Sequence, residues 1–141
     1  MIVFIDANIL IAVINKEYPL FTYSVRILSL AGTRNFTLFT SPICLAIAFY
    51  FAEKKYKQAV ARQKIALLCQ HIKIAETNTA AIKKSLENPA TKDFEDGLEY
   101  YAAVESGCPC IITEDTGDFY FSSLEVLNSH DFFLKYMARK K

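Results

Sequence analysis

Glycine and proline are scarce in this chain, which carries only four of each among 141 residues. Charged residues are also few at 22%, whereas hydrophobic residues make up 52%. A disordered chain has the reverse composition, because it buries too little apolar surface to offset the entropy lost on folding. The composition therefore excludes disorder and predicts one globular α/β or α domain over residues 1–141, a length that suits a single core.

An excess of charge of one sign is missing too, since the formal net charge is +1. The whole molecule therefore does not attract nucleic acid through its charge, and any such binding must be local. The four cysteines lack the C-x-x-C spacing, so a reduced, cytoplasmic setting is the simpler interpretation. The longest apolar run, residues 42–52, is shorter than the roughly 20 residues that span a bilayer. No membrane segment is predicted.

Strand and helix signals alternate along the chain. Residues 2–6 are a β-branched and aromatic run typical of a strand that is covered on both faces. Ser41 followed by Pro42 marks the start of a helix that runs to about residue 55, because serine caps helices and proline fits the first turn. The other predicted strands are 38–40, 71–75, 110–113 and 124–127, and the other predicted helices are 8–15, 23–31, 57–69, 78–87, 93–106 and 131–138. Strands separated by helices imply a parallel sheet.

Five aspartates follow strand ends or open a helix. Asp6 ends the first strand, Asp115 and Asp118 follow the strand at 110–113, and Asp93 and Asp96 share one face at the start of a helix. Taken singly, the last four also suit structural roles as helix caps or turn formers. Taken together, they meet at the carboxyl edge of a parallel sheet, where two carboxylates ~4 Å apart repel by about 4 kcal/mol at an effective dielectric constant of about 20. The cluster therefore predicts a cation, and carboxylates suit Mg²⁺ or Mn²⁺.

Three short motifs resemble the PIN domain family, whose members are metal-dependent ribonucleases and include the VapC-type toxins of bacterial toxin–antitoxin pairs. The motifs are the opening IDANIL, the helix DGLEYYAAVESG and the following IITEDTGDF, in the family's order and near its spacing. The resemblance implies a single PIN-like domain with a central parallel sheet flanked by helices on both faces. It also implies hydrolysis of RNA phosphodiester bonds with one or two Mg²⁺ or Mn²⁺ ions, and an antitoxin protein as a partner.

The same resemblance implies roles for individual residues. The catalytic, metal-binding acids of the family correspond to Asp6, Asp96 and Asp115, with Asp118 as an additional candidate ligand. Supporting positions around them correspond to Asn8, Asp93 and Thr113. The implied chemistry needs no covalent nucleophile, because metal-bound carboxylates and a water suffice for hydrolysis.

One element departs from the family pattern. The helix that begins at Ser41 normally carries a glutamate in its second turn, whereas this chain has Ala46 and Ile47 there. Glu53 does not replace the missing acid, because it lies ~9 Å further along the helix axis and on another side of the helix. The alternative interpretation is therefore a weakened or inactive PIN domain that acts as an RNA- or protein-binding module.

A cluster of basic residues follows the central helix and supplies candidate contacts to RNA phosphates: Lys54, Lys55, Lys57, Arg62 and Lys64. The chain also ends in the basic residues Arg139, Lys140 and Lys141. A solvated helix face accounts for the first cluster equally well. The aromatic stretch of Phe49, Tyr50 and Phe51 is predicted to lie mostly in the core, and any exposed share would form a homodimer face or an antitoxin groove.

Overall fold

The strand that opens the chain lies at the centre of the sheet. In the computed structural model, which describes residues 1–138, β1 (Ile2–Ile5) pairs with β2 (Thr37–Thr40) on one side and with β4 (Cys110–Ile112) on the other. β3 (Lys73–Ile74) extends the sheet beyond β2, and β5 (Glu125–Leu127) extends it beyond β4. The order is β3-β2-β1-β4-β5 and every pair is parallel. The predicted α/β class with a parallel sheet flanked by helices is therefore confirmed.

The described residues form seven α-helices around this sheet: α1 (Ala7–Ile14), α2 (Phe21–Leu28), α3 (Pro42–Lys55), α4 (Gln58–His71), α5 (Thr79–Glu87), α6 (Phe94–Glu105) and α7 (Ser129–Phe132). Two of them start where the sequence places a cap. The Ser41 hydroxyl oxygen accepts from the Cys44 amide at 3.3 Å at the start of α3, and an Asp93 carboxylate oxygen accepts from the Asp96 amide at 3.1 Å at the start of α6. In the described part of the chain, no helix is long and apolar enough to cross a bilayer.

Three predicted elements differ most from the structure. The strand expected at 71–75 is only two residues long, because α4 continues to His71. The helix expected at 23–31 begins at Phe21 and ends in a 3₁₀ turn over Ser29–Gly32. The closing helix expected at 131–138 begins at Ser129, because the Asn128 side chain caps it by accepting from the Asp131 amide at 2.7 Å, and it continues as a π-helical turn over Phe133–Met137.

The direction of the winding reverses beside β1. The chain runs from β1 outward to β2 and β3, and then crosses back to add β4 and β5 on the opposite side of β1. Parallel crossovers are right-handed, so this reversal places the intervening helices on opposite faces of the sheet. The carboxyl ends of β1 and β4 consequently border a crevice at the switch point, which is where open α/β sheets bind ligands. Asp6 follows β1 directly, and Thr113 follows β4.

Helix α1 packs against α3 close to this crevice. The sequence of α1, ANILIAVI, is apolar throughout and is largely buried. Helix α3 buries small side chains at intervals of four residues, namely Cys44, Ala48 and Ala52. Residues four apart lie on one face of a helix, and small side chains on that face allow a close approach. The packing therefore fixes the first turns of α3 beside the end of β1.

Candidate metal centre

Asp6 lies at the junction of β1 and α1 and is 7% exposed. Its amide donates to the Ile112 carbonyl at 3.0 Å, which ties the junction to β4. One carboxylate oxygen accepts from the Ala7 amide at 2.6 Å, and the other accepts from the Thr113 hydroxyl at 2.7 Å. None of the ion pairs among residues 1–138 includes this aspartate. The buried carboxylate therefore has neutral hydrogen-bond donors but no basic side chain to balance its charge.

The Thr113 hydroxyl joins Asp6 to the loop after β4. It donates to Asp6 and accepts from the Asn8 side-chain amide at 3.0 Å and from the Asp115 backbone amide at 3.1 Å. One donor and two acceptor sites are all that a hydroxyl offers, so Thr113 is fully satisfied. Asn8 also donates to the Asp115 carboxylate at 3.2 Å and accepts from the Glu114 amide at 3.1 Å. This network positions Asp6 and Asp115 on either side of Thr113.

Helix α6 brings a second group of acids to the same place. Asp93 caps the helix, and Asp96 in the first turn is partly buried. Burial is the main cause that raises the pKa of Asp96 to about 7, followed by the nearby negative charges of Asp93 and Asp118. The five aspartates that the sequence predicts to converge do all line one cleft of about 360 Å³.

The cleft is strongly acidic. Seven carboxylates line it, which are Asp6, Asp93, Glu95, Asp96, Glu99, Asp115 and Asp118. No lysine, arginine or histidine of the described residues shares this lining. Carboxylates crowded together without positive charge repel one another, and hard divalent cations prefer oxygen ligands of this kind. The aspartates of this lining therefore supply oxygen donors that fit a hard divalent cation.

The sequence interpretation missed two acids of this lining, Glu95 and Glu99, of which only Glu99 is buried. Glu99 lies three positions after Asp96, on the same face of α6, and is 2% exposed. Burial and the charge of Asp6 raise the pKa of Glu99 to about 10. One ligand atom each of Glu99, Asp6 and Cys44 can be chosen so that all three lie within 4.8 Å of one another. The i, i+3 spacing from Asp96 is the sequence signal that would have found it.

Cys44 lies between Asp6 and Glu99. Its thiol contacts a Glu99 carboxylate oxygen at 3.4 Å and an Asp6 carboxylate oxygen at 3.9 Å. Burial raises the pKa of this thiol well above its ordinary value, and the charges of Glu99 and Asp6 add to the effect. The cysteine is free, as are the other three. A thiol that keeps its proton is a hydrogen-bond donor and not a metal ligand.

Ile47 occupies the position where the family's helix acid is missing. It is partly exposed and lines the acidic cleft together with Phe51, which lies one turn further along α3. Glu53 is exposed and is not among the residues that line the cleft. The structure therefore agrees with the expectation that Glu53 does not replace the missing acid. A side chain at position 47 faces the other acids.

The predicted phosphate contacts lie outside the cleft. Lys54 stands over the ring of Tyr50, with its ammonium 4.3 Å from the ring centroid, and the Lys55 ammonium donates to the Asn15 carbonyl. Lys57 is the exposed N-cap residue of α4, and Arg62 stands 6.0 Å from the ring centroid of Phe49. Their role in RNA binding stays a prediction. The terminal Arg139, Lys140 and Lys141 lie outside the described residues.

The expectation that the aromatic stretch on α3 is mostly core is wrong for two of its residues. Tyr50 and Phe51 are 55% and 42% exposed, whereas Phe49 is partly buried against the core. Three consecutive residues point in different directions around a helix, so only one of them can face the same neighbour. Phe51 consequently forms part of the wall of the cleft.

The raised pKa of Asp96 predicts how stability depends on pH. An aspartate in an unfolded chain has a pKa of about 3.9, and in the folded protein the pKa of Asp96 is about 7. The folded state therefore binds this proton more tightly, so the stability that the proton confers is present below about pH 4 and is lost as the pH rises through about 7. In EDTA, the melting temperature of Asp96→Asn minus that of wild type should therefore increase as the pH rises from about 4 to about 7. Thermal melting at several pH values measures the difference.

Glu87→Gln is the control for this experiment, since Glu87 is an exposed acid at the end of α5. It also removes one negative charge but lies outside the lining of the cleft. A melting difference between Asp96→Asn and wild type that stays constant with pH would contradict the prediction.

Comparisons with known proteins point to one family. The family profile described as PIN domain matches residues 2–117. Among curated proteins, ribonuclease VapC1 of Aquifex aeolicus (strain VF5) is 28% identical over an alignment of 134 residues, and the match covers 92% of each chain. The solved structure of VapBC-1 from nontypeable Haemophilus influenzae matches with a TM-score of 0.71 at 20% identity, over 92% of this chain and 99% of that chain. The solved structure of VapBC2 from Rickettsia felis, which is bound to a DNA fragment from its promoter, matches with a TM-score of 0.69 at 20% identity. This match covers 91% of this chain and 98% of that chain.

Proposed function

The chain belongs to the PIN domain family, and from this premise we propose that it is a metal-dependent endoribonuclease that hydrolyses RNA phosphodiester bonds. The observation that carries the proposal is the acidic cleft at the switch point of the sheet, where Asp6, Asp96 and Asp115 converge without a basic side chain among the described residues of its lining. The curated relative that matches over 92% of both chains is named a ribonuclease. Fold, site and relative therefore favour the same chemistry.

The proposed roles of the individual residues follow from the hydrogen bonds of the site. Asp6, Asp96 and Asp115 would hold the ion, with Asp118 as an additional ligand from the loop after β4. A bound Mg²⁺ or Mn²⁺ supplies the Lewis acidity that phosphodiester hydrolysis requires. Thr113 and Asn8 hold two of the carboxylates in place through hydrogen bonds of 2.7 to 3.2 Å. Asp93 fixes the first turn of α6, and with it Asp96, by capping the helix.

RNA would reach the cleft past the outer face of α3. Phe51 lines the cleft and is exposed, and its neighbour Tyr50 is more exposed still. Exposed aromatic rings stack on the bases of single strands, and adjacent basic side chains contact the phosphates. Lys54 lies over both rings, with its ammonium 4.3 and 5.7 Å from their centroids. These residues are the proposed contacts closest to the site, whereas Lys57 and Arg62 would act further along the strand.

We also propose that the protein is the toxin of a toxin–antitoxin pair. The two similar structures above are of VapBC proteins, and the ribonuclease described above is a VapC protein. Exposed apolar surface marks sites of protein–protein contact, and an apolar groove of about 460 Å³ lies between α1, α2 and α4. Its walls include Val13, Leu28, Leu67 and Ile72. A homodimer through the same groove is the competing prediction.

One observation favours a second candidate function. Position 47 carries isoleucine, so α3 contributes no carboxylate to the lining of the cleft. A PIN domain that holds its metal too weakly would bind RNA or a partner protein without cutting it. The two candidates differ in whether RNA is cleaved, since the binding module would leave RNA intact whether it binds RNA or a partner protein.

The deciding experiment is an RNA cleavage assay with end-labelled single-stranded RNA. We expect wild type and the control Glu87→Gln to cleave in Mn²⁺ or Mg²⁺ and to stop when EDTA is added. Asp6→Asn should cleave below the limit of detection, because it removes the acid that is common to the whole site. RNA that is bound but never cut in either metal would favour the binding module instead. Cleavage that continues in EDTA would contradict the metal-dependent proposal.

A further inference from the structure

We propose that Glu99 is a metal-binding carboxylate of this site, supplied by α6 at the depth of the cleft where α3 presents Cys44 and Ile47. The proposal rests on the proposed function, since it concerns how the same ion is held. It assigns the ion a set of acids that includes Asp6 and two residues of one helix, Asp96 and Glu99. Glu99 on α6 would thus take the role of the glutamate that is missing from α3.

The first argument is the environment of the Glu99 carboxyl group. The residue is 2% exposed, and its Oε1 atom accepts from the Cys44 thiol at 3.4 Å. Its Oε2 atom is buried and has no hydrogen-bond partner among the described residues. A buried carboxyl oxygen without a partner is costly. A cation bound in the cleft would provide the missing partner.

The second argument is the convergence of ligand atoms. Ligand atoms of Asp6, Cys44 and Glu99 lie within 4.8 Å of one another. Mg²⁺ binds oxygen at about 2.1 Å, so two oxygen ligands on opposite sides of the ion are roughly 4 Å apart. Small side-chain movements therefore suffice for Asp6 and Glu99 to bind one ion. Asp6 also borders the outer acids, so it would be shared between the deep and the open part of the cleft.

The third argument is the geometry of the two helices that face each other here. On α6, Asp96 and Glu99 are three residues apart and lie on one face, and both line the cleft. On α3, Cys44 and Ile47 have the same spacing, and Ile47 lines the cleft while Cys44 contacts the Glu99 carboxyl group. One helix therefore contributes two carboxylates and the other a thiol donor and an apolar side chain. Cys44 is a positioning residue in this arrangement, because its thiol orients Glu99.

Mn²⁺ binding tests the proposal without relying on catalysis. Electron paramagnetic resonance of free Mn²⁺ gives the dissociation constant for wild type, Glu99→Gln and Glu95→Gln. Glu95 lies on the same helix and lines the same cleft but is exposed, so Glu95→Gln controls for the loss of one negative charge. We expect Glu99→Gln to weaken Mn²⁺ binding at least about tenfold, and Glu95→Gln to change it by no more than about threefold.

A second pair of variants tests whether an acid on α3 can replace Glu99 on α6. Ile47→Glu combined with Glu99→Gln should recover most of the lost Mn²⁺ affinity, because a carboxylate at position 47 faces the same cleft. Glu99→Asp keeps the charge but shortens the side chain, and it should also weaken binding if the carboxylate touches the ion. This variant carries the test if Glu99→Gln does not fold, which thermal melting in EDTA reveals.

The outcomes separate this proposal from the proposed function. Equal Mn²⁺ affinity of Glu99→Gln and Glu95→Gln would overturn the role of Glu99, while metal-dependent cleavage by wild type would leave the ribonuclease proposal standing. A wild-type protein that neither binds Mn²⁺ nor cleaves RNA would overturn both. Loss of affinity in Glu99→Gln together with recovery in the double variant would support both the ligand role and its position.

Discussion

Mn²⁺ is expected to raise the melting temperature of the wild-type protein by about 5 to 10 °C, and Asp6→Asn is expected to lose this shift. An ion that binds only the folded state stabilises it by about 2.7 kcal/mol at a concentration 100 times its dissociation constant. In a domain of this size each kcal/mol moves the melting temperature by a few degrees. Differential scanning fluorimetry with and without Mn²⁺ measures the shift.

Asp6 is the position where this effect should be largest. Its carboxylate borders both Thr113 and the group formed with Cys44 and Glu99, so its charge acts on the whole cleft. Asparagine at this position keeps one oxygen that can accept from the Ala7 amide, whereas its NH2 group replaces the oxygen that accepts from the Thr113 hydroxyl. The metal-free variant should fold and melt close to wild type, because the loss of one repelling charge offsets the loss of the Thr113 hydrogen bond.

Glu87→Gln again serves as the matched control, and it should keep the full Mn²⁺ shift. If Asp6→Asn shows the same shift as wild type, Mn²⁺ binds elsewhere and the cleft is not the metal site. A metal-free Asp6→Asn that melts clearly lower would show instead that the carboxylate acts mainly as the cap of α1.

Ile47→Glu is expected to tighten Mn²⁺ binding about three- to tenfold and to raise the rate of RNA cleavage. An added ligand that contributes 1.4 kcal/mol changes a dissociation constant about tenfold. Ile47 is partly exposed and lines the cleft, so a carboxylate there is neither deeply buried nor remote from the ion. Mn²⁺ titration and the cleavage assay on the same sample measure the two effects.

The same substitution should lower the melting temperature in EDTA, because an eighth carboxylate joins the seven that already line the cleft. Ile47→Gln introduces a side chain with the shape of glutamate but without its charge. It should show neither the gain in Mn²⁺ affinity nor the lower melting temperature in EDTA. A folded Ile47→Glu protein with unchanged Mn²⁺ affinity would show that this turn of α3 does not reach the ion. Brisk metal-dependent cleavage by wild type would show that a helix acid on α3 is not needed.

Local signals account for the part of the fold that was predicted correctly. The strand at Ile2–Ile5 is recognisable because a run of β-branched and aromatic residues suits a strand buried on both faces. The start of α3 follows from Ser41 and Pro42, and the start of α6 follows from Asp93. These features depend on neighbours in the chain. The parallel pairing of the strands then follows from the alternation of strands and helices, whereas the order of the strands does not.

The helix ends and the exposure of α3 were harder to predict. The cap of α7 by Asn128 and the π-helical turn after it depend on competing hydrogen bonds near the end of the described chain. Tyr50 and Phe51 are aromatic, yet they are 55% and 42% exposed and lie beneath the Lys54 side chain, not in the core. Hydrophobicity alone does not tell which side of a helix finds a partner, because that depends on the helices around it.

The sequence by itself determined the α/β class, the parallel sheet and the five aspartates at its carboxyl edge. Strand ends and helix caps depend on residues that are neighbours in the chain, so they can be predicted from the sequence. Only the tertiary structure decided that Glu99 belongs with the aspartates. Glu99 contacts Cys44, which is 55 residues away in the chain, and its burial arises where α6 approaches α3. A glutamate in the middle of a helix is usually exposed, and here only the packing of distant segments removes it from water and turns it toward Asp6.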